Sequence, residues 1–157
     1  MIKRGFIILI VIFFTLFLGA IFGKIPNGFL VSSAKDSISV NKNAIKISGK
    51  EIMVEIANDD KERNQGLSGR KFLGKNEGMF FIFPSSAKYS FWMKDMNFAL
   101  DVIWINEKKQ VSAVSKNIVP ETYPASFSPS DPVKYVLEVN AGWAEKNNIK
   151  IGDIVVF

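Results

Sequence analysis

The sequence predicts a mainly β fold: a compact β-sandwich or barrel-like domain with two short helices, preceded by one N-terminal transmembrane helix. Two observations carry most of this prediction. From Ala44 onward apolar and polar residues alternate in short runs typical of strands, and long segments with a helical period are absent. A third is the continuous apolar leader at the start of the 157-residue chain, which leaves enough sequence for one ordinary domain.

The leader has the length and flanking charges of a membrane anchor. Residues 6–22 are uncharged, and with Gly5 and Gly23 they form nineteen residues, or about 28 Å of helix. Lys3 and Arg4 precede them, so the positive-inside rule puts the N-terminus in the cytoplasm and the domain outside. We therefore predict a single-pass anchor at residues 1–24. The alternative is a cleaved signal peptide, which would leave a secreted or periplasmic domain.

Composition excludes several functional classes. The net charge is +5, but Lys3, Arg4 and Lys24 flank the leader, and the chain without these three residues carries only +2. A charge this small does not indicate a basic surface for nucleic-acid binding. The chain has no cysteine and no histidine, which excludes disulfides, thiol nucleophiles, Cys or His zinc sites and Ser-His triads within it. No segment is spaced like a calcium-binding loop, so the sequence indicates neither a metal site nor a cofactor.

A stalk and a first group of elements follow the leader. Residues 25–43 lack a helical period and contain Pro, Gly, Ser and Asn, which predicts a linker ahead of a domain at residues 44–157. Alternating Ile and Val residues at positions 45–47 and 52–56 predict two strands around a turn at residues 48–50. Asp59 and Glu62 have the spacing of a capping box, and Gly66 can end the short helix that this box would begin.

Apolar runs and turn residues predict the remaining strands, loops and helix. Residues 78–83 are apolar on both faces, which is typical of a strand in the middle of a packed structure. The further elements are a turn at 84–88, strands at 89–93, 100–106, 111–119, 133–140 and 154–157, a four-proline loop at 120–132 and a helix at 141–147. The aromatic residues expected in the core are Phe80, Phe81, Phe83, Trp104 and Trp143.

Five short motifs occur in a fixed order along the domain. They are Arg63-x-x-Gly66-Leu67-x-x-Arg70, Gly78-Met79-Phe80-Phe81, Phe91-Trp92-Met93-Lys94, Leu100-Asp101 before an apolar run, and residues 135–142 with Gly152-Asp153. Together they resemble the domain-of-unknown-function 192 family, also called uncharacterised protein family 0127, over residues 51–155. The resemblance implies a compact β-rich fold, commonly exported behind a signal or anchor, and no established activity. Residues 95–99 depart from the family pattern, which has Asn-Thr and a Pro there, and the cysteines that some members carry near the proline-rich loop are missing.

Trp92 and Lys94 are the first candidates for ligand binding. On a strand they share one face with Ser90, whereas Tyr89, Phe91 and Met93 share the other. An aromatic ring beside a cation on an open sheet face suits stacking on a sugar or anchoring a peptide. The alternative is a half-buried rim residue covered by the stem of the lysine.

Asp101 and Glu138 are candidate catalytic residues together with Lys94. Asp101 shares a face with apolar residues, so it needs a partner, for which Arg70 and Lys94 are candidates, or it is an acid with a raised pKa in a cleft. Glu138 lies on a face that we expect to be solvated. If the two carboxyls approach each other across neighbouring strands, they form a pair suited to acid/base chemistry on a glycan.

Arg63 and Arg70 flank the predicted Gly66-Leu67 turn and are candidates for ligand binding. Each guanidinium can hold a carboxylate or phosphate through two parallel hydrogen bonds. The alternative role is structural, in which they tie the short helix to Glu62, Glu77 or a backbone carbonyl.

These observations favour a membrane-anchored, extracytoplasmic binding or accessory module of the cell envelope. The expected partner is a glycan, a peptide or another envelope protein, and the anchor would raise its effective concentration near the membrane. One alternative is an envelope hydrolase or lyase that uses Asp101, Glu138 and Lys94. A second is an assembly factor for a membrane complex, with the leader helix in the interface.

Overall fold

A computed structural model of the chain describes residues 42–157. The predicted anchor at residues 1–24 and residues 25–41 of the predicted stalk lie outside the described residues, and the first strand already begins at Lys42. Within the described part, no helix is both long enough and apolar enough to cross a membrane.

The described chain contains nine strands, two α-helices and one 3-10 helix. In chain order they are β1 (Lys42–Ile47), β2 (Lys50–Ala57), α1 (Asp60–Gln65), β3 (Glu77–Ala87), β4 (Phe91–Trp92), β5 (Leu100–Ile105), β6 (Val111–Ile118), the 3-10 helix (Pro120–Thr122), β7 (Ser126–Phe127), β8 (Val133–Asn140), α2 (Trp143–Lys146) and β9 (Val155–Val156). Seven strands form one sheet in the order β6-β5-β8-β3-β2-β1-β9, and β4 pairs with β7 in a separate two-stranded sheet. Only β2 and β3 pair in parallel among these strands.

The seven-stranded sheet is curled into a half-barrel. Its two edges approach each other through a bridge between Gln110 and Ile154. Backbone hydrogen bonds from Val111 N to Asp153 O and from Val155 N to Lys109 O, each 2.9 Å, reinforce this contact. The mainly β prediction with two short helices is confirmed. The sandwich alternative is wrong, because one sheet folds back on itself instead of stacking on a second large sheet.

Local signals in the sequence specify the first turn and helix α1 as predicted. Ser48 and Gly49 both have positive φ, 48° and 74°, in the tight turn between β1 and β2. Glu62 N donates to Asp59 Oδ1 at 2.7 Å, and the Glu62 carboxylate accepts from Asp59 N at 3.3 Å, which completes the capping box. Gly66, at φ 50°, ends the helix and donates its N–H to Glu62 O.

The sheet is buried on both faces in its middle, so the domain has two apolar clusters. The inner cluster draws residues from all seven strands and from α2, as expected for the hollow of a curled sheet. The outer cluster lies between strands β3, β5 and β8 and a covering layer made by residues 66–74, the β4-β7 sheet and their neighbours. The predicted central strand is confirmed as β3, between β8 and β2. The five predicted core aromatic residues are all buried: Phe80, Phe81, Phe83, Trp104 and Trp143.

Two stretches differ from the sequence prediction. Residues 84–87, predicted as a turn, continue β3 across an irregular register between Ile82 and Ala87, where Pro84 removes no regular ladder hydrogen bond. The strand predicted at residues 89–93 shortens to Phe91–Trp92, because its partner β7 offers only two residues for pairing. The proline-rich loop contains that partner strand, which makes it part of the covering layer.

Candidate functional site

Glu138 lies in the middle of the outer face of the sheet. In the strand register it is opposite Met79 of β3 on one side and Val102 of β5 on the other. Both neighbours belong to the outer apolar cluster. The expectation that the face of Glu138 is solvated is wrong, since the covering layer leaves the residue only 7% exposed.

A cleft of about 390 Å³ opens above Glu138, between helix α1 and strand β4. We call it the α1–β4 cleft. Buried side chains of β3 and β8 form its floor, α1 and the turn after it form one wall, and residues 89–92 with Met96 form the other. This volume is in the range of sites that hold small ligands. The lining of the cleft includes the side chains of Asp60, Arg63, Phe81, Phe91, Trp92 and Glu138.

The Glu138 carboxyl group has no hydrogen bond and no ion pair among the described residues, although it lines the cleft. Burial among apolar neighbours raises its pKa to about 8, and the nearby positive charge of Arg70 opposes the shift without cancelling it. Near neutral pH the group is therefore mostly protonated. An acid at the floor of a cleft, whose carboxyl group accepts no hydrogen bond from the described residues, is suited to receive a polar or charged group from a ligand.

Arg70 makes the bidentate contact expected of it, but with a carboxylate of the same chain. Its Nη1 and Nη2 donate to Glu55 Oε1 and Oε2 at 2.5 and 2.7 Å. The hydrogen bond with Glu55 and the charges of Glu55, Glu77 and Glu138 raise the pKa of Arg70 against the effect of burial. Since its guanidinium is engaged by Glu55, Arg70 acts as a charge near the cleft and is not among the residues that line it.

Arg63 takes the structural role that the sequence offered as its alternative. Its Nη1 donates to Ile82 O at 2.9 Å and also to Asn58 O, and its Nη2 donates to Asp60 Oδ1. The guanidinium lies 5.5 Å from the centre of the Phe83 ring. Arg63 thus fixes α1 to β3 and forms part of the cleft wall.

Trp92 stands at the rim of the cleft, 58% exposed. Its ring meets Tyr123 of the proline-rich loop edge to face, with centroids 6.5 Å apart. The predicted alternation is confirmed, since Ser90, Trp92 and Lys94 are exposed while Tyr89, Phe91 and Met93 face inward. Lys94 lies in the turn after β4, outside the lining of the cleft, so it neither covers Trp92 within the site nor approaches Glu138.

Asp101 is fully buried and serves the backbone. Its Oδ1 accepts from Asn117 N and its Oδ2 from Ala144 N, each at 2.9 Å. The first contact holds a residue with positive φ in β6, and the second caps the first turn of α2. Neither Arg70 nor Lys94 pairs with Asp101, and its side chain lies on the face of the sheet opposite to Glu138.

Several cleft residues escaped the sequence analysis. Asn64, Gln65 and Ser68 come from α1 and the turn after it, and Tyr123 approaches the rim from the loop. No local pattern indicated that this helix and β4 would face each other. Among residues 42–157, no three acidic side chains come close enough together to hold a metal ion.

A model of the domain-of-unknown-function 192 family, DUF192, described as an uncharacterized ACR, matches residues 43–157. The chain belongs to this family. The match covers the sheet except Lys42, and it covers both helices, so the cleft is built entirely from the family domain.

Two solved structures share the fold of this DUF192 domain. One, from Sinorhizobium meliloti, is described as a "putative transcription regulator"; it is 31% identical, with a TM-score of 0.70 over 75% of this chain and 95% of that one. The other, a protein of unknown function from Novosphingobium aromaticivorans, is 29% identical, with a TM-score of 0.70 over 74% of this chain and 85% of the other. No curated protein sequence matches the chain.

Proposed function

We propose that this DUF192 protein is a ligand-binding module, tethered to the outer side of the cytoplasmic membrane, that holds a small molecule or the end of a peptide or glycan in the α1–β4 cleft. One observation carries the proposal: Glu138, only 7% exposed and without a hydrogen-bond partner in the described part of the chain, lies at the floor of the cleft. Among the described residues no buried side-chain oxygen lacks a hydrogen-bond partner, so the unbonded carboxyl oxygens of Glu138 are open to the cleft, where a ligand can bind them.

The rim supports the same function. Trp92 is 58% exposed, and an aromatic side chain beside a cleft supplies a large contact area with little loss of conformational entropy on binding. Arg63 Nη1 donates to Ile82 O of β3 at 2.9 Å, which fixes the wall formed by α1 to the sheet before a ligand arrives.

The proposed location outside the cytoplasmic membrane is supported by the apolar leader and not by any feature of the domain. Nineteen residues without charge, preceded by Lys3 and Arg4, support an anchor with the domain outside the membrane. The hydrolase or lyase alternative is not proposed, because the facing carboxyls that it requires are on opposite sides of the sheet. The net charge of +2 beyond the leader likewise gives no support for nucleic-acid binding.

A ligand screen on the full-length chain in detergent tests this function. We expect a ligand among envelope glycans, cell-wall peptides and small metabolites to raise the melting temperature by mass action. Trp92→Ala and Glu138→Gln should each weaken its binding by about tenfold or more. Lys94→Ala is the matched control, because Lys94 is exposed close to Trp92 in sequence but does not line the cleft.

The variants also separate binding in the cleft from binding elsewhere. A ligand whose affinity is unchanged in both Trp92→Ala and Glu138→Gln binds outside the cleft, and the proposal fails for it. A screen in which no compound raises the melting temperature would overturn the small-ligand function as a whole.

A further inference from the structure

We propose that the α1–β4 cleft selects organic cations: small ligands, or peptide side chains, in which an ammonium group is joined to an apolar body, with the ammonium pairing to Glu138. This inference rests on the proposed function, because it names the class of ligand that the cleft takes.

The two arginines at and beside the cleft are each paired with a carboxylate other than Glu138. Arg63 is paired with Asp60 in the wall, and Arg70 is held by both oxygens of Glu55 beside the floor. Each of these pairs is neutral. Glu77 is a further acidic group that acts on Arg70. An ionised Glu138 therefore gives the site a net negative charge, which a positive ligand group would balance.

An ammonium group also matches the hydrogen-bond acceptors of Glu138 that no described residue uses. An ionised carboxylate only accepts hydrogen bonds, and an ammonium group only donates them. No described residue uses the acceptor positions of Glu138. Because Glu138 is only 7% exposed, a cation paired with its carboxylate is attracted more strongly than in water, provided that both remain hydrogen-bonded.

The rest of the lining fits the apolar body of such a ligand. Phe81 and Phe91 line the cleft next to Glu138, with ring centroids 4.9 Å apart in an edge-to-face contact. Trp92 at the rim offers an open ring face to a hydrocarbon chain, a second ring or the edge of the cation. An anion would gain none of these contacts without facing Glu138.

Binding of a cation must be linked to loss of a proton. Burial holds the pKa of Glu138 at about 8 in the free protein, so at pH 6 to 7 the carboxyl is protonated before the ligand arrives. The charged group that acts on it directly is Arg70, which is itself held by Glu55 and attracted by Glu77, and Arg63 with Asp60 lies in the wall of the cleft. The ammonium group of an alkylamine stays charged in this range. The affinity should therefore rise about tenfold for each pH unit up to about pH 8.

Three ligands of matched shape test the charge class on the full-length chain in detergent. Phenethylamine is the cation, 2-phenylethanol its neutral counterpart and 3-phenylpropionate its anionic counterpart. Titration calorimetry at pH 6 and pH 7 is expected to give a tenfold smaller Kd for the amine at pH 7, with at least tenfold weaker binding of the other two. Calorimetry of the amine in two buffers with different ionisation enthalpies should show release of about one proton, a measurement that needs no variant.

Glu138→Gln keeps the size of the side chain and removes its charge. We expect it to weaken amine binding at least tenfold and to abolish the dependence on pH, whereas Glu121→Gln, an exposed glutamate outside the cleft, should leave both unchanged. Equal affinity for the alcohol and the amine, or an unchanged Kd in Glu138→Gln, would overturn the cation inference. If a neutral glycan or peptide from the screen binds in a Trp92-dependent way and the amine does not, the inference fails while the binding function stands.

Discussion

Asp101 and Glu138 lie on neighbouring antiparallel strands and face opposite sides of the sheet. Asp101 pairs in register with Val139, and Glu138 pairs with Val102, so the two carboxyls are one position out of step. The inner carboxyl is satisfied by two backbone amides, and the outer one has no partner in the described chain. The two acids of this domain therefore have different surroundings: Asp101 holds two backbone amides of the fold, whereas the carboxyl group of Glu138 faces the cleft.

The first prediction concerns stability and pH. An unfolded Glu138 titrates near 4.5, whereas the folded one titrates at about 8, so between these values the folded state holds a proton that the unfolded state has lost. Stability must therefore fall as the pH rises through this window, by about 1.4 kcal/mol per unit from this group alone. Glu138→Gln removes the group and should flatten this part of the profile.

Urea unfolding of the full-length chain at pH 5, 6.5 and 8 measures the effect. Tryptophan fluorescence reports on the domain alone, because all three tryptophans, Trp92, Trp104 and Trp143, lie within it. Glu138→Gln should be more stable than the wild type at pH 8, by a few kcal/mol relative to their difference at pH 5. Parallel pH profiles for the two proteins would contradict the raised pKa.

The second prediction concerns Asp101. In Asp101→Asn the side-chain oxygen can accept from only one of the two amides, and its new NH2 group faces the other, so one buried N–H loses its partner. We expect a loss of about 2–4 kcal/mol in the free energy of unfolding. Asp131→Asn, at an exposed position, is the control and should change stability by less than about 0.5 kcal/mol. An Asp101→Asn protein as stable as this control would mean that the two amides find other partners.

Local chemistry explains why much of the fold could be predicted. The capping box of Asp59 and Glu62 and the two-residue turn at Ser48 and Gly49 act over four residues or fewer, so the sequence displays them directly. The buried run of β3 likewise carries its own signal, because a strand covered on both faces has no polar side. These local patterns do not show whether the strands form one curled sheet or two stacked sheets. That choice depends on the contact between the sheet edges at Gln110 and Ile154.

The site was harder to predict, because it arises from long-range packing. Trp92 was identified from its place on a polar strand face, and it does stand at the cleft rim. For Glu138 the sequence predicts a solvated face, which is wrong, since alternation in β8 shows which face a residue takes but not whether a second layer covers that face. The layer over Glu138 comes from residues 66–74 and the β4-β7 sheet, which are distant in sequence from β8.

The third prediction concerns Gly78, which lies beside the backbone of Glu138. A Cβ atom at Gly78 would lie 2.7 Å from Glu138 O and 3.1 Å from Leu137 Cδ1, in the pairing of β3 with β8. Gly78→Ala must therefore push the backbone at the floor of the cleft, and we expect a loss of about 1–3 kcal/mol in stability.

Gly74→Ala is a matched control for this substitution. Its Cβ would come as close, 2.6 Å, but to the carboxyl end of the Glu77 side chain, which can rotate away. Denaturant unfolding should therefore show a clearly smaller loss for Gly74→Ala than for Gly78→Ala. Equal losses of stability in the two variants would mean that the backbone of β8 at Glu138 shifts as easily as the Glu77 side chain rotates.

The fourth prediction tests whether Arg63 is part of the frame or part of the ligand contact. Its guanidinium donates to Asn58 O, Ile82 O and Asp60 Oδ1, three acceptors that a lysine ammonium cannot reach together from the same position. Arg63→Lys should therefore lower the free energy of unfolding by about 1–2 kcal/mol although the charge is kept. Lys61→Arg, on an exposed position of the same helix, should change it by less than about 0.5 kcal/mol.

Binding measurements on the same variants separate the two roles of Arg63. If Arg63 only supports the wall, its replacement should change ligand affinity little in the folded protein. The Kd of Arg63→Lys for a cleft ligand should then be within about threefold of the wild-type Kd, a difference of less than 1 kcal/mol. The reverse result, an unchanged stability with a tenfold or larger loss of affinity, would make Arg63 a direct ligand contact. An anionic ligand would then be favoured over a cationic one, because the positive guanidinium would exchange the carboxylate of Asp60 for a negative group of the ligand.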